Sequence, residues 1–175
     1  TVKKHKELTA EVVVCGGGLA GVCAAVSAAR HGATVILVQD RPMLGGNASS
    51  EMRMGIVGTK IDDTQETGIL EEMQLRNFYY NPLMRYTMWD DAIYTTVVSE
   101  PNITLLLNTS VNDVVMNGER IAAVKAWNIN AYTHYTIAGT LFLDCTGDGI
   151  LRLSGAKYRH GRELPAEFGE YRLQE

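Results

Sequence analysis

Two short apolar runs near the N-terminus have the pattern of buried strands. Residues 10–15 (AEVVVC) and 33–40 (ATVILVQD) are rich in β-branched residues and do not alternate with polar ones, which is typical of strands covered on both faces. Between them, residues 19–32 are small and apolar and end at Gly32, a residue suited to terminating a helix. This succession predicts a βαβ unit with parallel strands and a right-handed crossover.

The next segment, residues 41–60, is rich in Gly, Asn and Ser and has no periodic pattern. A loop of this length in a compact domain is usually functional. Two helices are predicted after it, at about 64–79 and 83–99. The first has three polar residues available as its N-cap: Asp62, Asp63 and Thr64. The second carries a stripe expected to pack in the core, formed by Met84, Met88, Trp89, Ala92, Ile93, Thr96 and Val97.

Strands are predicted for the C-terminal half. Residues 102–111 form one, and 111–127 form a hairpin closed by Asn117-Gly118, a strong hairpin signal. A third antiparallel strand at 134–139 completes a β-meander. The continuous apolar run 140–145 is expected to be another buried strand. The chain is therefore predicted to have an α/β fold.

Three glycines give the first indication of a ligand. Gly16, Gly18 and Gly21 form a GxGxxG sequence between the first strand and the first helix, where the dinucleotide fingerprint requires it. Gly16 is expected to permit the tight turn, Gly18 to let a pyrophosphate approach the backbone, and Gly21 to let the helix pack closely. A plain tight turn is the alternative, but the strand–turn–helix–strand context favours a Rossmann-like FAD/NAD(P)-binding fold with a parallel sheet and a three-stranded antiparallel β-meander.

An acceptor for ribose hydroxyls is expected near the end of the second strand. Gln39 occupies the best position and Asp40 follows it, and both stay open. Up to this point NAD and FAD are equally well served. Two later features favour FAD: RPMLGG at 41–46, and LFLDCTGDG at 141–149, where a buried strand runs into a second glycine turn carrying the carboxylate of Asp148.

The stretches VVVCGGGLAG, VILVQDRPMLGGNASSEMRM and LFLDCTGDG together resemble a family of FAD-dependent oxidoreductases. These are built on the two-dinucleotide-binding-domain flavoprotein fold and are related to the glutathione-reductase and fumarate-reductase groups. The resemblance covers residues 10–60 and 140–163. It implies the N-terminal FAD-binding portion of a longer enzyme, with Gln39 as a departure from the glutamate usual at that position. The corresponding organisation is a tail at 1–9, an FAD-binding domain at 10–150, and the start of a following segment at 151–175.

The resemblance also implies a set of cofactor contacts. The first glycine turn and the helix start would line the pyrophosphate, and the end of the second strand would face the adenosine ribose. The following loop would line the ribityl chain and flavin, and the second glycine turn would close over the cofactor. These residues are Gly16, Gly18, Leu19, Ala20, Gly21, Gln39, Asp40, Arg41, Gly45, Gly46, Asn47, Ser49, Ser50, Thr146, Gly147 and Asp148.

Catalytic groups are less evident than cofactor contacts. Glu51 and Arg53, in the loop near the expected flavin, are weak catalytic candidates, and ordinary loop positions are the alternative. His160 and Arg162 are expected in surface or interdomain contacts, and His31 at a helix C-terminus. Because no CxxxxC pair occurs, disulfide reduction of the glutathione-reductase type is not expected.

Composition and charge exclude several classes of partner. The net charge of -4, without a basic cluster, argues against nucleic acid, and the KKHK at 3–6 is expected to be a solvated tail. The cysteines, Cys15, Cys23 and Cys145, lack metal-ligand spacing, so no metal and reduced thiols are expected. No apolar run approaches the roughly 18 residues that span a bilayer. A cytoplasmic location is expected, with a removed signal peptide as the alternative because the sequence begins at Thr1.

These observations predict the FAD-binding portion of a flavin-dependent oxidoreductase that acts on a small-molecule substrate. One alternative is an NAD(P)-dependent dehydrogenase domain with the same βαβ unit. It is less favoured, because the second glycine turn would then have no role. A nucleotide-binding module without turnover is the other alternative. The rest of a longer chain or a second copy is expected as partner. The chain alone is expected to be inactive and to show weak or no FAD retention.

Overall fold

The computed structural model describes residues 3–56 and 66–158. The strands are β1 (Lys4–Cys15), β2 (Val35–Val38), β3 (Ile103–Leu106), β4 (Thr109–Asn117), β5 (Arg120–Asn128) and β6 (Thr133–Asp144). The α-helices are α1 (Leu19–Arg30), α2 (Gly68–Tyr80) and α3 (Tyr86–Val98). Two short 3₁₀ helices lie at Gly46–Ala48 and Ile150–Ser154.

The described strands form one six-stranded sheet in the order β3-β2-β1-β6-β5-β4. The first four strands of this order are parallel to one another, whereas β5 is antiparallel to both β6 and β4. The β1–α1–β2 unit is the predicted βαβ unit, and β4–β5–β6 is the predicted meander. The α/β fold with a parallel sheet and a three-stranded antiparallel β-meander is therefore confirmed.

The core has two layers, one on each face of the parallel sheet. Val12 and Val14 of β1 pack with side chains of α1 and α3 on one face. Val13 and Cys15, which alternate with them, pack with side chains of β5 and β6 on the other. Both faces of β1 are therefore covered over residues 12–15, which explains why apolar and polar residues do not alternate there.

The predicted solvated tail at the N-terminus is wrong for its described part. β1 begins at Lys4, and Lys4 to Ala10 pair in parallel with residues 133–139 of β6. The charged residues of this stretch are exposed, so their sequence is typical of a solvated tail. Leu8, by contrast, packs against the core on the face that contacts the meander.

Three strand boundaries also differ from the prediction. The run at 102–111 is divided between β3 and β4, because Asn108 takes a left-handed conformation with φ of 51°. The two strands predicted at 134–139 and 140–145 are one continuous strand, β6. The hairpin turn lies one residue later than predicted, since Asn117 pairs with Arg120 across it.

Helix α1 begins at Leu19 as predicted, whereas α2 and α3 begin later than the sequence suggests. α2 starts at Gly68, and the N-caps proposed for it, at 62–64, lie outside the described residues. On α3 the predicted core stripe is confirmed for Trp89, Ala92, Ile93, Thr96 and Val97, all of which are buried. It is wrong for Met84 and Met88, which are exposed. Met84 precedes the start of α3 at Tyr86, and Met88 lies within the helix but is not among its buried residues.

Candidate functional site

A cavity of about 560 Å³ lies at the carboxyl ends of β1, β2 and β6. Ligands of open α/β sheets bind at this edge, where the loops after the strands converge. Three segments that are distant in sequence meet there: the first glycine turn, the loop after β2, and the second glycine turn. The lining residues are Gly16, Gly18, Val38, Gln39, Asp40, Arg41, Gly46, Asn47, Glu51, Met52, Thr109, Ser110, Val111, Cys145, Thr146, Gly147, Asp148 and Ile150.

Gly16 and Gly21 have the structural roles expected of them. Gly16 adopts φ of 101°, and its N–H donates to the carbonyl of Val38 at 2.7 Å. A Cβ at Gly16 would overlap the backbone carbonyl of Cys145, so the two glycine turns are in backbone contact. A Cβ at Gly21 would overlap the carbonyl of Gly16, which holds α1 close to the turn. Neither position tolerates a side chain.

Gly18 differs from its neighbours, because a Cβ built there meets nothing within 4 Å. It lines the cavity and is the N-cap of α1, with φ of -64°. The first turn of a helix has N–H groups without intrahelical partners and a partial positive charge. The first turn of α1 contains no acidic residue to neutralise that charge. Leu19, Ala20 and Gly21 belong to this turn, although these three residues do not line the cavity.

The loop after β2 runs beside the first glycine turn. The N–H of Gly45 donates to the carbonyl of Gly17 at 2.8 Å, and a Cβ at Gly46 would lie 3.2 Å from the Cα of Gly18. Gly46 and Asn47 line the cavity. Gly45 does not line it, so this glycine serves the contact between the two segments.

Helix α3 holds the next part of this loop in place. The indole Nε1 of Trp89 donates to the carbonyl of Ala48 at 2.9 Å. Asp90 Oδ1 accepts from the N–H of Ser50 at 2.8 Å, while its buried Oδ2 has no partner among the described residues. Ser49 is buried, and neither Ser49 nor Ser50 lines the cavity. The structure therefore does not bring these two serines, which were expected near the flavin, to the cavity wall.

The two weak catalytic candidates are separated by the structure. Glu51 is exposed and lines the cavity together with Met52. Arg53 does not line it. The Nε of Arg53 donates to the carbonyl of Ser50 at 3.1 Å, and its guanidinium lies 5.7 Å from the centre of the Tyr86 ring. These contacts give Arg53 a role in fixing the loop.

The end of β2 offers two groups of different accessibility. The carboxamide of Gln39 is buried, accepting from the N–H of Gly17 and donating to the carbonyl of Met43. Asp40 and Arg41 have side chains that are 58% and 61% exposed, with 3.9 Å between Asp40 Oδ2 and Arg41 Nε. Of the two possible ribose acceptors, Asp40 is therefore the one with an exposed side chain.

The second glycine turn is shaped by Asp144, a residue that sequence reasoning did not single out. Its Oδ1 accepts from the N–H and the hydroxyl of Thr146, at 3.1 and 2.7 Å. Its Oδ2 accepts from the N–H of Leu151 at 2.8 Å, and the Thr146 hydroxyl in turn accepts from the N–H of Asp148 at 3.1 Å. An Asp followed two residues later by Thr is a turn signal that could have identified it. Thr146, Gly147 and Asp148 line the cavity as expected.

The start of β4 also forms part of the wall. The N–H of Asn108 donates to the carbonyl of Arg41 at 3.2 Å, and that of Thr109 donates to the carbonyl of Gln39 at 2.8 Å. These bonds bring Ser110 and other β4 residues to the cavity beside the end of β2. The contribution depends on strands far apart in sequence, and no local signal marks it.

The cysteines at the site are poorly suited to redox or nucleophilic chemistry. Burial, assisted by the nearby Asp144 and Cys145, raises the pKa of Cys15 to about 12. Burial and then Asp144 raise the pKa of Cys145 as well. Both thiols are thus neutral at ordinary pH. Among the residues that the structure describes, no group of three or more potential metal ligands occurs.

The fold and the cavity together define a dinucleotide-binding protein of the Rossmann-like class. A family model described as FAD dependent oxidoreductase matches residues 11–174, and the chain belongs to this family. The cofactor of the family is FAD, and the prediction of FAD from the second glycine turn is confirmed. An NAD(P)-dependent dehydrogenase domain is therefore set aside as the explanation of this fold.

Each individual protein resembles the chain over only part of its own length. The chain is 55% identical over 40 residues to the fumarate reductase (cytochrome) of Shewanella frigidimarina, a match of 23% of this chain and 7% of that protein. Similar solved structures include a geranylgeranyl bacteriochlorophyll reductase-like protein of Thermoplasma acidophilum (TM-score 0.61, 16% identity, 87% of this chain and 43% of that one). Another is THI4 of Thermovibrio ammonificans, with a TM-score of 0.58 and 20% identity over 85% of this chain and 64% of that one. The quinol fumarate reductase FrdA of E. coli has a TM-score of 0.56 and 14% identity over 80% of this chain and 33% of that one. These likenesses confirm the fold.

The residues present fit an extended dinucleotide. The open space at Gly18 adjoins the start of α1, so a phosphate can approach the backbone where N–H groups are unpaired. Gly18 and Gly46 are in close backbone contact, so no side chain lies between the first glycine turn and the loop after β2 at this point. The second glycine turn closes the opposite side of the same cavity.

Proposed function

We propose that the chain binds FAD in this cavity as the flavin-carrying part of an oxidoreductase acting on a small organic substrate. Gly18 and the first turn of α1 would hold the pyrophosphate, and Asp40 with Arg41 would face the adenosine ribose. Gly46 and Asn47 would follow the ribityl chain. Thr146, Gly147 and Asp148 would cover the cofactor from the other side. FAD, when bound, supplies the transfer of electrons to or from the substrate.

The observation that carries this proposal is the meeting of two glycine turns at one cavity. Gly16 of the first turn is in backbone contact with Cys145 of the second, and both line the same space. A single glycine turn suffices for the pyrophosphate of NAD, so an NAD-binding domain would not need the second turn. Two turns that present backbone from opposite sides suit FAD bound in an extended form.

The substrate is left open by the described residues. We propose Glu51 as the acid or base nearest to the reaction, since its carboxylate is exposed at the cavity. The similarity to fumarate reductase extends over 40 residues and 7% of that protein. A match of this extent carries no argument for a shared substrate.

A protein partner is proposed from exposed apolar side chains. Leu75, Phe78 and Tyr79 of α2 and Leu83 after it are each at least 60% exposed. Such a patch usually marks a surface that another protein segment covers. We propose that it is covered by the rest of a longer chain or by a second copy. Measuring the molar mass of the chain in solution distinguishes the two.

A cytoplasmic location is also proposed. The three cysteines are free, which suits a reducing compartment. In the described part of the chain, none of the helices combines the length and apolarity needed to cross a membrane. Fractionation of the source cells, with antibody detection of the protein, tests the location directly.

The substitution Gly18→Ala tests the cofactor site while sparing the fold. A methyl group at Gly18 meets no protein atom, and φ of -64° suits alanine, so the free energy of unfolding should change by about 1 kcal/mol or less. The same methyl group would stand where the pyrophosphate approaches. FAD titrations followed by NMR of the backbone amides should show affinity at least about tenfold weaker than in the unchanged chain, a loss of about 1.4 kcal/mol.

Gly55→Ala is the matched control, because a Cβ there also meets nothing within 4 Å and Gly55 does not line the cavity. Its FAD affinity should equal that of the unchanged chain. The proposal fails if Gly18→Ala binds FAD equally well. It also fails if saturating FAD shifts none of the amide signals of residues 16–21 in the unchanged chain.

A further inference from the structure

Gln39 directly follows β2 and has a partner for each of its four polar groups. Its Oε1 accepts from the N–H of Gly17 at 2.8 Å, and its Nε2 donates to the carbonyl of Met43 at 2.9 Å. Its backbone N–H donates to the carbonyl of Leu106 at 2.9 Å, and its carbonyl accepts from the N–H of Thr109 at 2.8 Å. Because Gln39 is only 4% exposed, water is a poor substitute for these partners.

The two side-chain bonds connect two walls of the cavity. Gly17 belongs to the first glycine turn, and Met43 belongs to the loop that leads to Gly45. The bond from the Gly45 N–H to the Gly17 carbonyl joins the same two segments at a second point. We infer that Gln39 is a positioning residue whose carboxamide sets the spacing between these two segments, and that this position requires an amide in place of a carboxylate.

The requirement follows from the direction of the two bonds. A carboxamide donates through its nitrogen and accepts through its oxygen at the same time, whereas a carboxylate only accepts. An ionised glutamate at this position would keep the bond from Gly17 and would place its second oxygen against the carbonyl oxygen of Met43. A protonated carboxyl group has a hydroxyl that can donate, and would restore both bonds.

In the variant Gln39→Glu, the stability of the fold should therefore depend on the protonation of residue 39. Burial and the facing Met43 carbonyl raise the folded-state pKa of the introduced carboxyl group above its unfolded value. A group of this kind stabilises the fold below the unfolded pKa, and the stabilisation is lost as pH rises through the folded pKa. The variant should thus resemble the unchanged chain near pH 4 and lose stability progressively toward neutral pH.

The other titratable groups of the cavity are shared by both proteins. They are Asp40, Arg41, Glu51, Cys145 and Asp148; the first glycine turn, Met43, Leu106 and Thr109 contribute none. Comparing the two proteins at each pH therefore isolates the introduced group and its coupling to these neighbours. Gln74→Glu, the same exchange on α2, is the control for a general effect of added negative charge.

The first measurement is the unfolding equilibrium constant of the three proteins as a function of pH. For Gln39→Glu we expect it to shift about tenfold or more toward the unfolded state between acidic and neutral pH, the size expected for one buried hydrogen bond. Gln74→Glu should show no such shift. A Gln39→Glu chain as stable as the unchanged chain at neutral pH would overturn the inference.

Two further measurements make the test specific to positioning. In the unchanged chain, NMR should show slow solvent exchange for one side-chain amide proton of Gln39, and rapid exchange of both would overturn the inference even if the variant fails to fold. ADP titrations should give about tenfold weaker binding to Gln39→Glu at neutral pH, with recovery at acidic pH. This last part rests on the proposed function. If ADP binds neither protein while the stability profile holds, the cofactor proposal fails and the positioning role stands.

Discussion

The indole N–H of Trp89 donates to the carbonyl of Ala48 at 2.9 Å, joining residues 41 positions apart in the sequence. Trp89 lies in the first turns of α3 and Ala48 in the loop after β2. The neighbouring Asp90 accepts from the N–H of Ser50 in the same loop. The part of the loop that carries Glu51 to the cavity is therefore held from one side by a helix that itself does not line it.

The variant Trp89→Phe keeps most of the buried ring and removes this donor. The Ala48 carbonyl is then left without its partner in a buried position, so we predict a loss of about 1 kcal/mol in the free energy of unfolding. Hydrogen exchange of residues 46–54 should accelerate more than that of the β1–β6 pairs. Urea denaturation and exchange mass spectrometry measure the two effects.

Trp127→Phe is the control for the previous change, since Trp127 of β5 packs against His134, with 4.4 Å between ring centres, outside this loop. It should leave exchange of residues 46–54 unaltered. Equal exchange of the loop in Trp89→Phe and the unchanged chain would contradict the role given to the indole.

Asp144 offers a graded test of the second glycine turn. Asp144→Ala removes the acceptors for the Thr146 N–H and hydroxyl and for the Leu151 N–H. Asp144→Asn keeps one carbonyl oxygen and loses the other acceptor. Because each exposed hydrogen bond contributes about 0.5–1.5 kcal/mol, we predict that FAD affinity falls in the order unchanged chain, Asn variant, Ala variant. Titration by NMR measures it, and an Asn variant weaker than the Ala variant would reverse the argument.

The raised pKa of Cys15 predicts alkaline sensitivity. The thiol has an ordinary pKa of about 8.5 when unfolded and a pKa of about 12 when folded. Its contribution to stability is therefore complete below the unfolded value and is lost as pH rises through the folded one. The free energy of unfolding should fall between these values by up to about 1.4 kcal/mol per pH unit.

Replacement of the thiol checks this assignment. In Cys15→Ala the alkaline decline should be much smaller, although the lost packing lowers stability at every pH. Cys23→Ala should retain most of the decline, since it leaves Cys15 in place and removes only the contribution of Cys23, whose pKa burial also raises. Denaturation curves across the alkaline range measure the slopes, and an unchanged slope in Cys15→Ala would refute the explanation.

Arg30 connects α1 to α2 and to the segment before β3. Its guanidinium donates to both carboxylate oxygens of Glu72, at 2.7 and 2.8 Å, and to Glu100 at 2.6 Å. The hydrogen bonds from Arg30 hold the pKa of Glu72 below its usual range. This stabilisation is present above the unfolded pKa of Glu72 and is lost as pH falls through the folded one.

The variant Arg30→Gln should lose at most about 1 kcal/mol, because the pair is more than a third exposed and solvent screens it. The loss should be largest at low salt and should shrink at acidic pH, where Glu72 is protonated in both proteins. Arg120→Gln, on the β4–β5 hairpin, is the matched control. A loss independent of both salt and pH would show that packing of the side chain, not its charge, is responsible.

Much of the fold was predictable because its signals are local. The runs of β1 and β2 are apolar throughout, and Gly118 supplies the positive φ that the hairpin turn requires. The N-terminal half of β1 was not predictable, since Lys4 to Lys6 are polar and exposed and their strand partners lie at Thr133 to Tyr135. Only the completed sheet makes a strand of this segment.

The same distinction applies to the site. Gly16 and Gly21 were identifiable because backbone conformation and close packing demand glycine at a fixed spacing. Trp89 and Ser110 were not, because each reaches the site through tertiary contacts that leave no pattern in their neighbours. The contacts implied for Ser49, Ser50 and the other cofactor residues stay predictions.

The continuity of β6 determines where this domain can accept added sequence. Its first half pairs with both β1 and β5, whereas its second half, ending at Asp144, has β1 as its one strand partner among residues 3–56 and 66–158. One extra residue inside Gly139 to Asp144 would exchange the two faces of everything after it and displace the turn that follows. The hairpin tip at Gly118 and Glu119 has no such constraint. A peptide grafted there would extend the meander and leave the geometry of the cavity unchanged, so the tip is a suitable attachment point for a reporter or an affinity handle.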